Sequence, residues 1–223
     1  MGINVKSQQN VDSPSVHDRL LEAGEELFCE KGFDATSVRD LAAAAECNIA
    51  SVNYYFGGKE NLYVEIWRKH LARMREARLG SIKKIMSAGD EPPDLEKLLR
   101  AFAEGFMGPL VDFHRQGRLA KLMGREMLDR HLPGNLYLEE LIVPTMESFT
   151  EALYRICPKV DRSRAPLLII SFVGQLVHAM HFRAMMEGVQ KEGILDFEGP
   201  EVLDHIVKFS AAGIRAFCQG SAE

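Results

Sequence analysis

Between Thr36 and Leu62 the chain reads TSVRDLAAAAECNIASVNYYFGGKENL, two short helical stretches with only a few residues to turn between them. Thr36 and Ser37 are good first caps, because a side-chain oxygen there accepts from the orphan N–H groups of the opening turn. Val38, Leu41, Ala42 and Ala45 then recur at helical spacing and make one apolar stripe. Asp40 sits in the first turn, where the helix dipole favours a negative charge. Asn48 is the next cap. Ile49, Val52 and Phe56 give the second helix a buried side, and Ala50, Ser51, Asn53 and Tyr54 lie largely away from it. Gly57-Gly58 stops that helix, since glycine tolerates the left-handed conformation needed there.

Two helices joined by about four residues fit a helix-turn-helix, whose second helix reads base edges in the major groove. The run T-S-V-R-D-L-A followed by S-V-N-Y-Y-F-G-G-K-E-N-L resembles the DNA-binding domain of the TetR family of bacterial transcriptional regulators. The upstream stretch LLEAGEELFCEKGFDATSV, Leu20 to Val38, is similar to that family's first helix and the Gly-aromatic turn ending it. The family's turn usually carries glycine where Glu46 stands and an aliphatic residue where Cys47 stands. Farther on, GREMLDRHLP, LIVPTMESF, SFVGQ and HIVKFSAAGI resemble the C-terminal domain of the CecR-type subgroup. The resemblance implies a small-molecule-responsive repressor that dimerises through its last two helices.

With 223 residues, 46% of them hydrophobic, the chain can bury a sizeable core. No alternating strand pattern and no repeat is visible, so the expected fold is all-α. The expected divisions are a flexible arm over 1–14, a helix-turn-helix domain over 15–62, a connecting helix over 63–86 and an effector-binding and dimerisation domain over 87–223. Helices are expected from about Ser15 to Lys31, Lys59 or Glu60 to Met86, Leu95 to Phe113, Arg118 to Arg130, Tyr137 to Ile156, Arg164 to Val189 and Pro200 to Phe217. Pro144 should kink its helix, because proline lacks the N–H and crowds the preceding turn. The basic later part of the fourth helix reads either as a solvated face or as the coupling between domains.

A net charge of -5 argues against a strongly basic, nonspecific nucleic-acid binder, but a dimer needs positive charge only where it meets phosphates. Lys59, Arg39, Lys6 and Arg19 are the candidate cations. Ser51 and Asn53 are the candidates for base edges, an asparagine amide being able to pair bidentately with adenine. Thr36, Tyr54 and Lys59 are candidates for phosphates, and Arg39 for either. Asn48 and Ala50 complete the expected surface. For Thr36 the alternative is a cap only, and for Tyr54 a packed aromatic. The expected partner is double-stranded operator DNA.

In the second half, methionines and phenylalanines accumulate. Phe106, Met107, Met123, Met127, Met146 and Phe149 suit either an apolar effector cavity or a plain core or dimer seam. Gln175 and His178, on an apolar helix, read as satisfied interior residues or as polar contacts to an apolar or aromatic effector. A metal site from His178 and His181 lacks a carboxylate cluster beside it. No cofactor is expected. The cysteines Cys29, Cys47, Cys157 and Cys218 lack metal-like spacing and read as buried apolar residues in a reducing compartment, with a redox role at Cys47 as the alternative. GGKE lacks the spacing and hydroxyl of a phosphate-binding loop, and G-x-S-x-G, H-E-x-x-H and G-x-G-x-x-G are absent, so no enzyme is expected. No uninterrupted apolar run reaches the roughly 20 residues of a bilayer span. The N-terminus lacks a secretory apolar stretch, so the expected location is the cytoplasm, without a membrane partner. The other reading kept open is a small-molecule binding protein without sequence-specific DNA binding.

Overall fold

The computed structural model describes residues 14–89, 93–110, 118–186 and 200–218. Among them the secondary structure is helical, with no strand: α1 (Val16–Lys31), α2 (Val38–Ala44), α3 (Ala50–Phe56), α4 (Lys59–Met86), α5 (Leu95–Met107), α6 (Arg118–Asp129), α7 (Val143–Ile156), α8 (Ala165–Met186) and α9 (Pro200–Cys218). The chain divides into two compact units. One takes Met1–Trp67 and Arg118–Leu132, the other Arg68–Gly117 and Pro133–Glu223. Residues 1–13 of the expected arm, Lys6 among them, lie outside the described residues, as do the helix ends expected at Phe113 and Val189.

Capping chemistry sets the helix ends of the first unit. Ser15 accepts from the Asp18 N–H, and Gly32, at φ 86°, closes α1 by donating its N–H to Phe28 O. Ser37 opens α2 in a capping box: the Asp40 N–H donates to Ser37 Oγ at 3.1 Å, and the Ser37 N–H donates back to Asp40 Oδ2 at 2.9 Å. The Ser37 hydroxyl also donates to Asp40 Oδ2 at 2.7 Å, and this bond, with the one from the Ser37 N–H, holds the Asp40 carboxyl below its usual range. Gly57, at φ 76°, ends α3 and α4 begins two residues later. The interior is built from Leu20, Leu21, Phe28, Leu41, Ala45, Val52, Leu62, Ile66 and Trp67, all buried.

The helix α6 belongs to this unit, although the sequence pattern assigns it to the later domain. Arg125 explains part of the attachment: its guanidinium donates to the terminal carbonyls of α1, Cys29 O at 3.2 Å and Glu30 O at 2.8 Å. Arg118 pairs with Glu22 at 2.8 Å. His131 lies over the Phe33 ring with 4.4 Å between centroids.

The second unit packs α5, α7, α8 and α9 around one apolar core with the later part of α4. At its centre Phe102 stacks on Phe149 at 4.5 Å, and Phe172 sits 6.1 Å from Phe102. Arg100 pairs with Asp204, and Arg215 reaches Glu96 at 2.9 Å and Asp94 at 3.1 Å, so α9 is tied to the start of α5.

Two expectations are corrected here. The helix expected through Tyr137 to Ile156 is not evenly α-helical: Leu138–Ile142 form a π-helical turn, and Pro144 lies in the first turn of α7. A proline cannot donate to the ladder and crowds the turn before it, so the wider turn takes up the strain. Cys157 and Cys218 are not free buried thiols; they form a disulfide with Cα atoms 5.3 Å apart, and Cys29 and Cys47 remain free. Among the described residues one helix, α8, is long and apolar enough by composition to cross a bilayer, with mean hydropathy 1.5 over Ala165–Phe182. Ser171, Gln175, His178 and His181 interrupt its apolar run, so no uninterrupted run of that length is present. Only 22% of that window is buried.

Candidate nucleic-acid interface

The surface begins with how α3 is seated. Val52 is wholly buried, and Phe56 lies against His17 of α1 with 4.8 Å between ring centroids. This anchors one side of a seven-residue helix too short to be stable alone. The opposite side carries Ala50, Asn53 and Tyr54, all exposed, and Ser51, half-buried. Tyr54 is 82% exposed, a large aromatic with little to gain from solvent, and it meets Tyr55 edge-on at 5.0 Å. Tyr55, the last residue of the stretch expected to enter the groove, is 43% exposed; it stands three residues after Val52 and meets His17 of α1 edge-on at 6.0 Å.

Asn48 accepts from the Ala50 N–H through Oδ1 at 2.9 Å. It therefore holds the first N–H of α3 from one residue ahead of the Ile49 N-cap, and its side-chain NH₂ remains outside that bond. Arg39 lies exposed near the start of α2, and no carboxylate pairs with it among the described residues.

Three of the expected phosphate contacts are placed differently. Thr36 is fully buried; its hydroxyl donates to Gly32 O at 2.7 Å and so fastens the turn after α1. Lys59 Nζ donates to Phe33 O and Thr36 O, each at 3.0 Å, and sits 4.1 Å from the centre of the Phe33 ring. An ammonium has three N–H groups, so at most one is left for a phosphate. Arg19 is a strut as well, donating through Nε to Ala45 O at 2.9 Å and through Nη1 to Pro14 O at 2.9 Å. Arg19 thus ties α1 to the end of α2, and Lys59 ties the start of α4 to the turn after α1, which position in sequence does not reveal.

The turn between α2 and α3 holds a strained residue. Glu46 has φ 49°, in the left-handed region that L side chains other than Asn and Asp rarely adopt. The turn's bonds, Cys47 N–H to Ala42 O at 2.9 Å and Glu46 N–H to Ala43 O at 3.2 Å, require that conformation whatever residue occupies it.

The residues expected to meet an effector separate into groups. Phe106 and Phe149 are buried in the second unit, and Met107 and Met146 pack partly buried against the same core. Met123 and Met127 are on α6 and so belong to the first unit; Met127 is 65% exposed and lines no interior of the second. His178 is exposed on α8. Gln175 donates to Ser210 Oγ at 3.0 Å and joins α8 to α9. Among the described residues no group of His, Cys, Asp and Glu could hold a metal ion.

Comparison with known proteins agrees with this geometry. Residues 20–66 match the family model described as bacterial regulatory proteins, tetR family, and residues 104–213 match the tetracyclin repressor-like C-terminal domain. The probable HTH-type transcriptional regulator YttP of Bacillus subtilis is 25% identical over 163 residues, 71% of this chain and 78% of that one. The HTH-type transcriptional dual regulator CecR of Shigella flexneri is 48% identical, but over 46 residues, 21% of this chain and 20% of that one. The fatty acid degradation regulator FadR of Bacillus halodurans shares the fold, with a TM-score of 0.61 at 16% identity over 92% of this chain and 98% of that one.

Proposed function

Since the chain belongs to the TetR family of transcriptional regulators, we propose that it is a homodimeric repressor released from operator DNA by a small effector with an apolar body. The supporting observation is the outward face of α3. Val52 seats the helix while Ala50, Ser51, Asn53 and Tyr54 remain free to enter a groove. In this reading Asn53 and Ser51 contact base edges, Tyr54 and the remaining Lys59 N–H contact phosphates, Arg39 serves either, and Asn48 and Ala50 line the approach. The regulator works where DNA is, in the cytoplasm. The CecR-type subgroup is proposed for the C-terminal domain on the motif resemblance alone.

A dimer places two such faces about one helical turn apart on DNA. The apolar faces that α8 and α9 leave uncovered are the proposed seam. An effector shifts the equilibrium only if it prefers the form whose reading heads no longer match the half-sites. The second unit is the proposed effector domain, with Phe106, Met107, Met146 and Phe149 as its apolar lining. The helix α4 runs unbroken from one unit into the other and is the proposed lever.

The test is selection of bound duplexes from random oligonucleotides, followed by gel shifts on the enriched sequence. An enriched palindrome bound by wild type, and bound less tightly by Asn53→Ala by about 1–3 kcal/mol, is expected. No enrichment, or equal losses on enriched and random duplexes, would return the chain to the class of binding proteins without sequence-specific DNA recognition.

A further inference from the structure

Arg78, on α4 in the second unit, is 7% exposed and is the one arginine or lysine that is buried among the described residues. Its Nε has no hydrogen-bond partner, and no carboxylate pairs with it among the described residues. Three other arginines of this unit show what is missing. Arg75, three residues earlier on the same helix, holds Glu140 at 2.9 Å; Arg100 holds Asp204; Arg215 holds Asp94 and Glu96. Arg78 has instead the face of Phe106, with its guanidinium carbon 4.1 Å from the ring centre. A ring face offsets only part of what a guanidinium loses on leaving water.

The charge is not relieved by losing a proton. Burial lowers the Arg78 pKa to about 10, which leaves the group a cation at neutral pH. A buried cation without an anion is a demand that the described protein does not meet.

The surroundings qualify that demand. From Phe106 the aromatic series continues to Phe102 at 6.1 Å and to Phe149 at 4.5 Å beyond it, so the neighbourhood is apolar. Tyr137, close enough to Arg78 to interact with it electrostatically, stands directly before the π-helical turn Leu138–Ile142, a distortion that recurs at functional sites. In the first turn of α7, which follows, the buried Thr145 hydroxyl also lacks a partner.

We propose that Arg78 is the anion-binding group of the effector site, and that the effector is an organic carboxylate carried on an apolar body. The inference rests on the reading of the second unit as the effector domain and adds the charge of the ligand. A guanidinium fork matches a carboxylate bidentately. A single cation balances a single negative charge, which favours a carboxylate over a doubly charged phosphate ester. The ring of Phe106 is then covered by Arg78 on one face and remains part of the apolar lining.

The experiment uses the full chain and matched probes: decanoate against decanamide, naphthalene-2-carboxylate against naphthalene-2-carboxamide, and decyl phosphate. Thermal shift and direct titration are read for wild type, Arg78→Met and Arg78→Lys. At least one acid is expected to bind wild type about 10- to 100-fold more tightly than its amide and more tightly than the phosphate. Arg78→Met is expected to melt no lower than wild type without probe and to lose the preference for acid over amide, and Arg78→Lys to keep part of it. The proposal is overturned if neither acid outperforms its amide, if decyl phosphate binds best, if Arg78→Met keeps the preference, or if Arg78→Met melts below wild type. Gel shifts on the same samples separate the two readings. Binding to the enriched duplex without any preference for acids sinks this inference alone, whereas absence of duplex binding sinks the regulator reading.

Discussion

The Tyr63 hydroxyl donates to Glu126 Oε2 at 2.9 Å, a bond between the first turns of α4 and the buried face of α6. The other oxygen of the same carboxylate accepts from the Leu132 N–H at 2.8 Å. Both oxygens of a buried acid are thereby satisfied, and α6 is held in the same unit as α3. Tyr63→Phe leaves one oxygen buried without that donor, which is expected to cost about 1–3 kcal/mol in urea denaturation.

The same bond sets an alkaline limit. Burial, with Glu126 beside it, raises the Tyr63 pKa above its ordinary value of 10. The folded form therefore keeps the phenol proton more firmly than the unfolded chain does. That contribution is complete below about pH 10 and declines as pH rises through the folded value. Denaturation midpoints measured upward from pH 9 are expected to fall less steeply in Tyr63→Phe than in wild type. Parallel slopes would mean that Tyr63 ionises as freely in the fold as out of it.

Glu46→Gly tests the turn between α2 and α3. At φ 49° an L residue is strained by about 1–2 kcal/mol, and glycine is not. Glycine's greater freedom in the unfolded chain returns part of this. A net gain of about 0.5–1 kcal/mol in chemical denaturation is expected, with duplex affinity retained. A net loss would show that the glutamate side chain contributes more than its backbone strain removes.

What was legible in the sequence was what neighbouring residues decide. Ser15, Ser37, Gly32 and Gly57 act within four residues of themselves, and α4 runs over Lys59–Met86 as its pattern implies. The apolar stripes of α2 and α3 were legible for the same reason. The supporting bonds of Thr36 and Lys59 were not legible because their acceptors are carbonyls freed at the end of α1 and in the turn after it, and only the packed fold aims those oxygens inward. Met127 was taken for lining because methionine suits an interior, but α6 turns that position to solvent. Cys157 and Cys218 meet across 61 residues, a distance over which spacing carries no information. Arg78 is indistinguishable in the sequence from the other arginines of a basic helix; only its burial sets it apart.

Arg39 and Lys59 are expected to separate when substituted. Arg39→Gln removes an exposed charge without a carboxylate partner, so stability should stay within about 0.5 kcal/mol. Its effect should fall on DNA: weaker binding to all duplexes and a log–log salt slope reduced by about 1. Lys59→Met leaves the carbonyls of Phe33 and Thr36 without their donor, at about 1–3 kcal/mol of stability. If Lys59→Met changed only the salt slope, its role would be phosphate contact and not support.

The disulfide joins the end of α7 to the end of α9. Closing a loop of 61 residues restricts the unfolded chain, worth about 2–4 kcal/mol by the usual range. Protein purified in air is expected to show two titratable thiols after denaturation and four after reduction, matching its four cysteines. Reduced wild type and Cys218→Ser should melt alike and below the oxidised form. Four thiols in air-purified protein would place the pair outside bonding in solution.

The outer faces of α8 and α9 carry the last expectation. Leu167 and Ile170 are 64% and 59% exposed, and with Ser171, Gly174 and His178 they follow one stripe along α8. On α9, Phe209 is 65% exposed on a stripe with His205 and Gly213. Such faces are costly in water, and a symmetric pairing of two copies covers the same patch on each. Ile170→Glu combined with Phe209→Glu puts like charges into that seam without touching the buried core. The variant is expected to be monomeric by light scattering, with helicity retained. Each monomer would then bind one half-site, and loss of linked binding should lower affinity for the full palindrome by about 100-fold or more while leaving half-site affinity unchanged. If the double variant remained a dimer, or if a monomer bound the palindrome as tightly as wild type, the coupling of this seam to paired reading of DNA would fail.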